Sequence, residues 1–266
     1  NQTRFIILGI VYIVAINIPF IIANIFVFTK KLAFARPQFK YVNLSKAKSV
    51  LTLSGIFFAV QIGNLLMFST NKLFINILFG PAAVVDFEKY NKVFAFISTM
   101  FGVIVQPPIW VAVTKAFTQK KYSYIKKMQQ LALSISLIFI FASIIVGLGL
   151  QIIFDVWLGA NSIKVNLTTI LIFIIFNTLY LLSGALIIIS NGLANLKVQA
   201  ISLLGATILK VPVTLLLKHI FPNIGWPIIV IYNCLAFIPM LLFMHQSNTN
   251  YIKRDSKKHE RTQSTS

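Results

Sequence analysis

Three lysines interrupt stretches of the chain that are otherwise apolar enough to cross a lipid bilayer. Lys72, Lys92 and Lys210 lie in these stretches, which contain almost no acidic residue to neutralise them. A charged side chain near the middle of a membrane costs about 2.5 to 3.5 kcal/mol on insertion scales, so it is usually placed against a polar cavity. Cations that have no fixed counter-ion therefore predict a cavity that accepts an anion.

Neutral polar side chains accompany these lysines on one face of each of four predicted helices. Such a face cannot contact lipid cheaply, so the four faces should line one shared space. The candidate substrate-binding residues on these faces are Lys72, Lys210, Lys92, Gln61, Asn64, Asn71, Thr99 and Asn177. Two other interpretations stay open: the lysine side chains could extend to the lipid headgroups, and the amides could form hydrogen bonds between helices.

A proline pair interrupts the third predicted helix. Pro107 and Pro108 directly follow Gln106. Proline removes a backbone donor and clashes with the preceding turn, so the pair predicts a kink. We interpret Pro107 and Pro108 as a candidate hinge, because helix breaks recur where the parts of membrane proteins move against each other.

The composition excludes an ordinary soluble domain. The chain has 266 residues, of which 58% are hydrophobic and only 11% are charged, whereas soluble proteins have roughly 25% charged residues. The net charge of +19 lies mainly in short segments between apolar stretches, which is the pattern that orients membrane proteins. Nucleic acid is not expected as a partner, because its binding needs a basic face on a soluble module.

Residues for catalysis or metal binding are scarce. Cys234 is the only cysteine, and the three histidines are scattered among the predicted helix ends. No nucleophile–base pair, carboxylate pair or Cys/His cluster occurs at a spacing that favours an active site or a metal site. We therefore expect neither an enzyme nor a bound cofactor or metal.

The apolar stretches predict an all-α fold, a polytopic membrane helix bundle. A span needs about 20 apolar residues at a rise of about 1.5 Å each, which gives seven transmembrane helices here. They are predicted at residues 5–29, 49–79, 84–113, 128–150, 165–190, 199–219 and 226–245. Basic residues concentrate in alternate connecting segments, so the positive-inside rule predicts a multi-pass protein of the plasma membrane with a cytoplasmic C-terminus.

Seven spans with an external N-terminus fit the last seven helices of a twelve-helix protein. The predicted parts are the last helix of a first lobe at 1–29, a basic cytoplasmic linker at 30–48, a six-helix second lobe at 49–245 and a disordered cytoplasmic tail at 246–266. The tail is polar and rich in serine, threonine and lysine, a composition that favours disorder. On this interpretation the missing first lobe is an expected partner.

Four segments of the chain resemble the second lobe of a transporter family. They are the helix and turn from Asn71 to Tyr90, the helix end at Gln106–Trp110, and the turns at Asn191–Gln199 and Pro222–Trp226. In order and spacing they resemble polysaccharide (O-antigen or repeat-unit) flippases of the multidrug/oligosaccharidyl-lipid/polysaccharide exporter superfamily. The chain departs from that family at Asn71, where an acid is common, and near Phe87, where a tyrosine is common.

The resemblance implies two six-helix bundles arranged in a V around a central cavity. It also implies that an undecaprenyl-pyrophosphate-linked oligosaccharide is flipped to the outer leaflet of a bacterial cell membrane by alternating access. Lys72 and Lys210 would match the family's cationic cavity residues and bind the pyrophosphate, while the neutral candidates would bind sugars. Membrane lipids and polysaccharide assembly proteins are the other implied partners.

Other functions stay open. Seven helices with an external N-terminus also fit a membrane receptor or sensor, and a multidrug exporter of the same superfamily would share the fold. A proton-driven exporter of cationic drugs would want a buried carboxylate, and none of the five acids lies mid-span by the predicted boundaries. A membrane glycosyltransferase or polymerase is disfavoured, because the sequence lacks paired acids and large outer loops.

Overall fold

Helices form all the regular structure of the described residues, 2–36, 43–159 and 164–264, in the computed structural model. Seven of them are long and apolar enough to cross a membrane, which confirms the predicted all-α polytopic bundle. The helices are α1 Gln2–Phe26, α2 Leu44–Phe79, α3 Pro81–Ile104, α4 Gln106–Thr118, α5 Tyr122–Leu148, α6 Leu150–Leu158, α7 Leu167–Gly192, α8 Lys197–Ile220 and α9 Ile228–Ser264. Residues 37–42 of the predicted linker lie outside the described residues.

The chain divides into two compact units between Leu51 and Thr52. In the first unit, α1 continues through a π-helical turn at Val27–Lys31, so the predicted first span forms. Its described side chains are exposed along the whole of α1. The amide of Asn17 donates to the carbonyl oxygen of Ile13 at 2.7 Å, a bond within the helix that satisfies one donor of this polar side chain.

In the second unit, α7 and α9 are the central helices. About half of each spanning segment is buried, more than in any other predicted span of the described chain. Small residues on α7 let its neighbours approach closely: a Cβ atom on Gly192 would lie 2.5 Å from Cγ1 of Val113 on α4. The helix begins at Asn166, whose Oδ1 accepts a hydrogen bond from the backbone of Thr168 at 2.8 Å and so caps the helix.

A break divides the third predicted helix into α3 and α4, as the proline pair predicted. Val105 separates the two helices, and Pro107 and Pro108 lie in the first turn of α4. Proline is tolerated there because the first backbone N–H groups of a helix have no partner within it. The kink is confirmed, and the hinge stays a prediction.

The C-terminal segment differs from its prediction. Instead of a disordered tail from residue 246, α9 continues as a helix to Ser264. Asn248 is fully buried and its amide donates to the carbonyl oxygen of Leu186 at 3.1 Å, while Ile252 is 2% exposed. The polar composition predicted a solvated segment. The structure instead packs its side chains on α7 and neighbouring helices, and composition alone does not reveal such contacts.

The close approach of α4 and α7 leads to a first prediction. Gly192→Ala should destabilise the protein by about 1–3 kcal/mol, because the added carbon would overlap Val113 and overpacking costs about this much. Thermal unfolding of the purified protein in detergent measures the change.

Gly205→Ala on α8 is the matched control. No atom lies within 4 Å of the added carbon there, and alanine favours a helix interior over glycine by up to about 1 kcal/mol. Equal melting temperatures for the two variants would contradict the close packing of α4 on α7.

Candidate functional site

A groove of about 520 Å³ opens between α2, α3, α4 and α7 in the second unit. Thr99 and Asn177, two of the predicted site residues, line it near the middle of their spans. The other lining residues are Phe68, Asn91, Phe94, Ala95, Ser98, Gly102, Val103, Gln106, Phe173, Phe176 and Tyr180. None of these described residues is charged, so the groove is a neutral surface of amides, hydroxyls and aromatic rings.

The polar wall of the groove lies on one side of α3 and continues into the first residue of α4. Asn91 and Ser98 are seven residues apart, as are Thr99 and Gln106, so each pair lies on one face of the helix. The side-chain nitrogen of Gln106 lies 3.8 Å from where a Cβ atom of Gly102 would stand. A Cβ atom at Gly102 would therefore be in ordinary van der Waals contact with the Gln106 amide.

Asn177 joins three helices beneath the groove. Its amide nitrogen donates to Oγ of Ser143 on α5 at 2.6 Å, and its Oδ1 accepts from the hydroxyl of Ser98 on α3. The residue is 1% exposed. Its main role is therefore to hold α3, α5 and α7 together, which agrees with the interpretation that the amides form interhelical bonds.

A side pocket of about 70 Å³ adjoins the groove and shares four of its lining residues, among them Asn91. Its other polar lining residues are Asn71 and Lys72 of α2 and Asn233 of α9. Oδ1 of Asn233 is buried and accepts no hydrogen bond from the described residues. The space is large enough for water, while Oδ1 of Asn233 is an unpaired acceptor buried in its wall.

Lys72 has a counter-ion, contrary to the prediction of an unneutralised cation. Its Nζ lies 3.0 Å from Oε1 of Glu88 on α3, in an ion pair without the alignment of a hydrogen bond. The lysine side chain is 55% exposed and that of Glu88 is 24% exposed. The pair is open to solvent or lipid headgroups, so an anion that reaches Lys72 competes with Glu88.

Lys210 is a buried brace rather than a cation that faces a cavity. It is 1% exposed, and its Nζ donates to the carbonyl oxygen of Met67 at 2.5 Å, Oγ1 of Thr70 at 2.8 Å and Oδ1 of Asn71 at 2.7 Å. An ammonium group has three donors, and these three oxygens of α2 use all of them. The Lys210 amine therefore does not face the groove in this structure, and its binding of a pyrophosphate stays a prediction.

Three other candidates lie away from the groove. Nζ of Lys92 lies 5.9 Å from the ring centre of Trp157 on α6, a cation–π contact. Gln61 is exposed and Asn64 is half-buried, and neither lines the groove or the side pocket. The polar faces predicted for single helices placed Lys92, Gln61 and Asn64 beside the other candidates. In the packed structure these three residues do not line the groove.

Side chains of α8 attach α2 to the rest of the second unit. Besides the bonds of Lys210, Nζ of Lys218 donates to the carbonyl oxygen of Leu78 at 3.2 Å. The hydroxyl of Thr207 donates to the carbonyl oxygen of Gly63 at 3.5 Å. All five bonds end on backbone or side-chain oxygens of α2. These bonds attach α2 to α8, while Phe68, the groove residue of α2, packs on rings of α7 and α9.

Sequence reasoning did not select Asn91, Ser98 or Tyr180 as site residues. Asn91 and Ser98 repeat at the same seven-residue spacing as Thr99 and Gln106, so this repeat could have identified them. Tyr180 belongs to a ring cluster with Phe68 and Phe176, with centroid distances of 5.7 and 6.0 Å. Tyr180 lies three residues after Asn177, on the same polar face of its helix, so this spacing could have identified it.

Within residues 2–36, 43–159 and 164–264, no group of histidine, cysteine, aspartate and glutamate side chains could hold a metal ion. The chain matches no protein-family model. It also has no match among curated proteins or solved structures.

The brace leads to a second prediction. Lys210→Met should leave stability unchanged or raise it, because it removes a buried charge and its three oxygen acceptors are neutral. Asn71→Leu should lower stability by about 1.5–3 kcal/mol, since it takes a hydrogen bond away from a charged group. Thermal unfolding in detergent measures both.

The double variant with Asn71→Leu and Lys210→Met provides the control. It should regain most of the stability lost in Asn71→Leu, because the amine that needed Oδ1 is gone. A loss of stability in Lys210→Met as large as in Asn71→Leu, with no recovery in the double variant, would contradict this prediction.

Proposed function

We propose that this multi-pass membrane protein is a flippase that moves an undecaprenyl-pyrophosphate-linked oligosaccharide to the outer leaflet of a bacterial cell membrane. The observation that carries the proposal is the groove: a space of about 520 Å³ between membrane-spanning helices, lined by amides, hydroxyls and aromatic rings. The resemblance of the loop and helix-end segments to polysaccharide flippases also supports it.

The lining of the groove suits a sugar. A sugar ring presents hydroxyl groups that donate and accept hydrogen bonds, and apolar faces that pack on aromatic rings. Thr99 is exposed to the groove and can do both kinds of hydrogen bonding, and Gln106 adds an amide. Phe176 and Tyr180 provide ring faces close to these groups. A neutral groove does not bind cationic drugs by charge, which favours a glycan over a multidrug substrate.

The pyrophosphate of such a substrate would interact with Lys72 rather than Lys210. Lys72 lines the side pocket next to the groove and is more than half exposed. A pyrophosphate carries more negative charge than one carboxylate, so it can replace Glu88 as the partner of Lys72. The lipid tail would stay in the bilayer while the sugars occupy the groove.

The helix break provides a way to couple movement to the groove. Gln106 is the first residue of α4 and lines the groove, and Val105 immediately before it separates α4 from α3. A change in the angle between α3 and α4 would therefore move Gln106 relative to Thr99. This is the geometry that alternating access needs, in which the site opens to one face of the membrane at a time.

Removal of the polar wall tests the proposal. In cells that depend on the full-length protein for surface polysaccharide, Thr99→Val combined with Gln106→Leu should reduce the surface polysaccharide about tenfold or more, because two hydrogen-bonding groups of the groove are lost. Quantitative staining of the polysaccharide measures the effect, with protein abundance checked by immunoblot.

Gln61→Leu combined with Asn64→Leu is the matched control, since it removes two neutral polar groups outside the groove. This pair should leave surface polysaccharide near the normal level. Normal polysaccharide in the groove variant at normal abundance would refute the groove as the substrate site.

A further inference from the structure

A second, open pocket lies at the basic end of the second unit, where α4 ends and α5 begins. Its volume is about 510 Å³. Three lysines line it, Lys120, Lys121 and Lys127, together with Ser123, Tyr124 and Ser256 of α9. Lys121 and Lys127 are exposed, so their ammonium groups are within reach of a ligand from outside the bundle.

The turn that carries these lysines is fixed to the bundle. The backbone N–H of Lys121 donates to the carbonyl oxygen of Ala116 at 2.9 Å, and that of Lys120 donates to Phe117 at 3.0 Å. Ile125, one turn into α5, is completely buried. The pocket therefore keeps its shape without a ligand, which lowers the cost of binding.

The helical extension of α9 builds the second wall. The hydroxyl of Tyr122 donates to Oδ2 of Asp255 at 2.6 Å, and the ring of Phe117 lies 5.9 Å from that of Tyr251. These contacts place Ser256 against the lysines. Asp255 directly precedes Ser256 in the sequence. Its carboxylate accepts the hydrogen bond from Tyr122, so it lies at the contact between α5 and α9.

We propose that this pocket binds the phosphate headgroup of an anionic membrane lipid. The ammonium groups of Lys121 and Lys127 and the hydroxyl of Ser123 match a phosphodiester, which needs positive charge and hydrogen-bond donors. The pocket lies at the ends of membrane-spanning helices, the level at which headgroups lie, and Tyr124 is 44% exposed beside it, as is typical of residues at the membrane interface. The inference does not depend on what the groove carries.

Lipid retention tests this inference. The purified full chain is equilibrated with equal amounts of phosphatidylglycerol and phosphatidylcholine of the same acyl chains, and native mass spectrometry counts the lipids retained. The wild type should retain phosphatidylglycerol preferentially. Lys121→Gln combined with Lys127→Gln should weaken this retention at least tenfold, since a lysine near an anionic lipid contributes about fivefold in affinity.

A control pair on the same helices separates the pocket from general surface charge. Lys115→Gln combined with Lys126→Gln removes the same charge from exposed lysines that do not line the pocket, and it should retain phosphatidylglycerol like the wild type. Equal losses in the two double variants, or no preference in the wild type, would overturn the site. Displacement of the lipid by inorganic phosphate alone at millimolar concentration would overturn the lipid as its ligand.

Discussion

A buried amine in a membrane protein must find oxygen partners within the protein, and Lys210 finds three on one helix. Because Met67, Thr70 and Asn71 all belong to α2, the amine fixes that helix to α8 at a single height. This attachment adjoins the groove, since Phe68 lies among the three acceptors and forms part of the groove wall. The ring of Phe68 itself packs on those of Phe176, Tyr180 and Phe237. The bonds of Lys218 and Thr207 to α2 act in the same direction.

Polar groups in the second unit fall into two kinds, and the distinction separates support from function. Those of Lys210 and Asn177 are buried and engaged with other helices, so they position the walls. Thr99 and Gln106 line the open groove, and no hydrogen bond within the described residues is shown for their side chains. Only groups of the second kind can bind a substrate without first breaking a contact within the protein, and Lys72 is intermediate because it must leave Glu88.

The sequence was enough to predict the spans and the proline break, because both follow from local composition. Pairings between helices were harder to predict. Lys72 and Glu88 each lie eight residues from Gly80, so a hairpin centred on that glycine brings them to the same level, but a search for counter-ions within each span misses the pair. The burial of Lys210 and the helical course of residues 246–264 depend on contacts far apart in the chain, which neither periodicity nor composition contains.

The central claim is that water reaches Thr99 on α3, in the wall of the groove, but does not reach Lys210 on α8. Cysteine accessibility in membranes tests this claim most directly. The buried Cys234 is first replaced by alanine. Thr99→Cys and Lys210→Cys are then each treated with a membrane-impermeant maleimide. Ile208→Cys is the lipid-facing reference, because Ile208 is 75% exposed on the apolar surface. We predict rapid modification at residue 99 and none above the reference at residue 210. Modification at 210 together with protection at 99 would contradict this account.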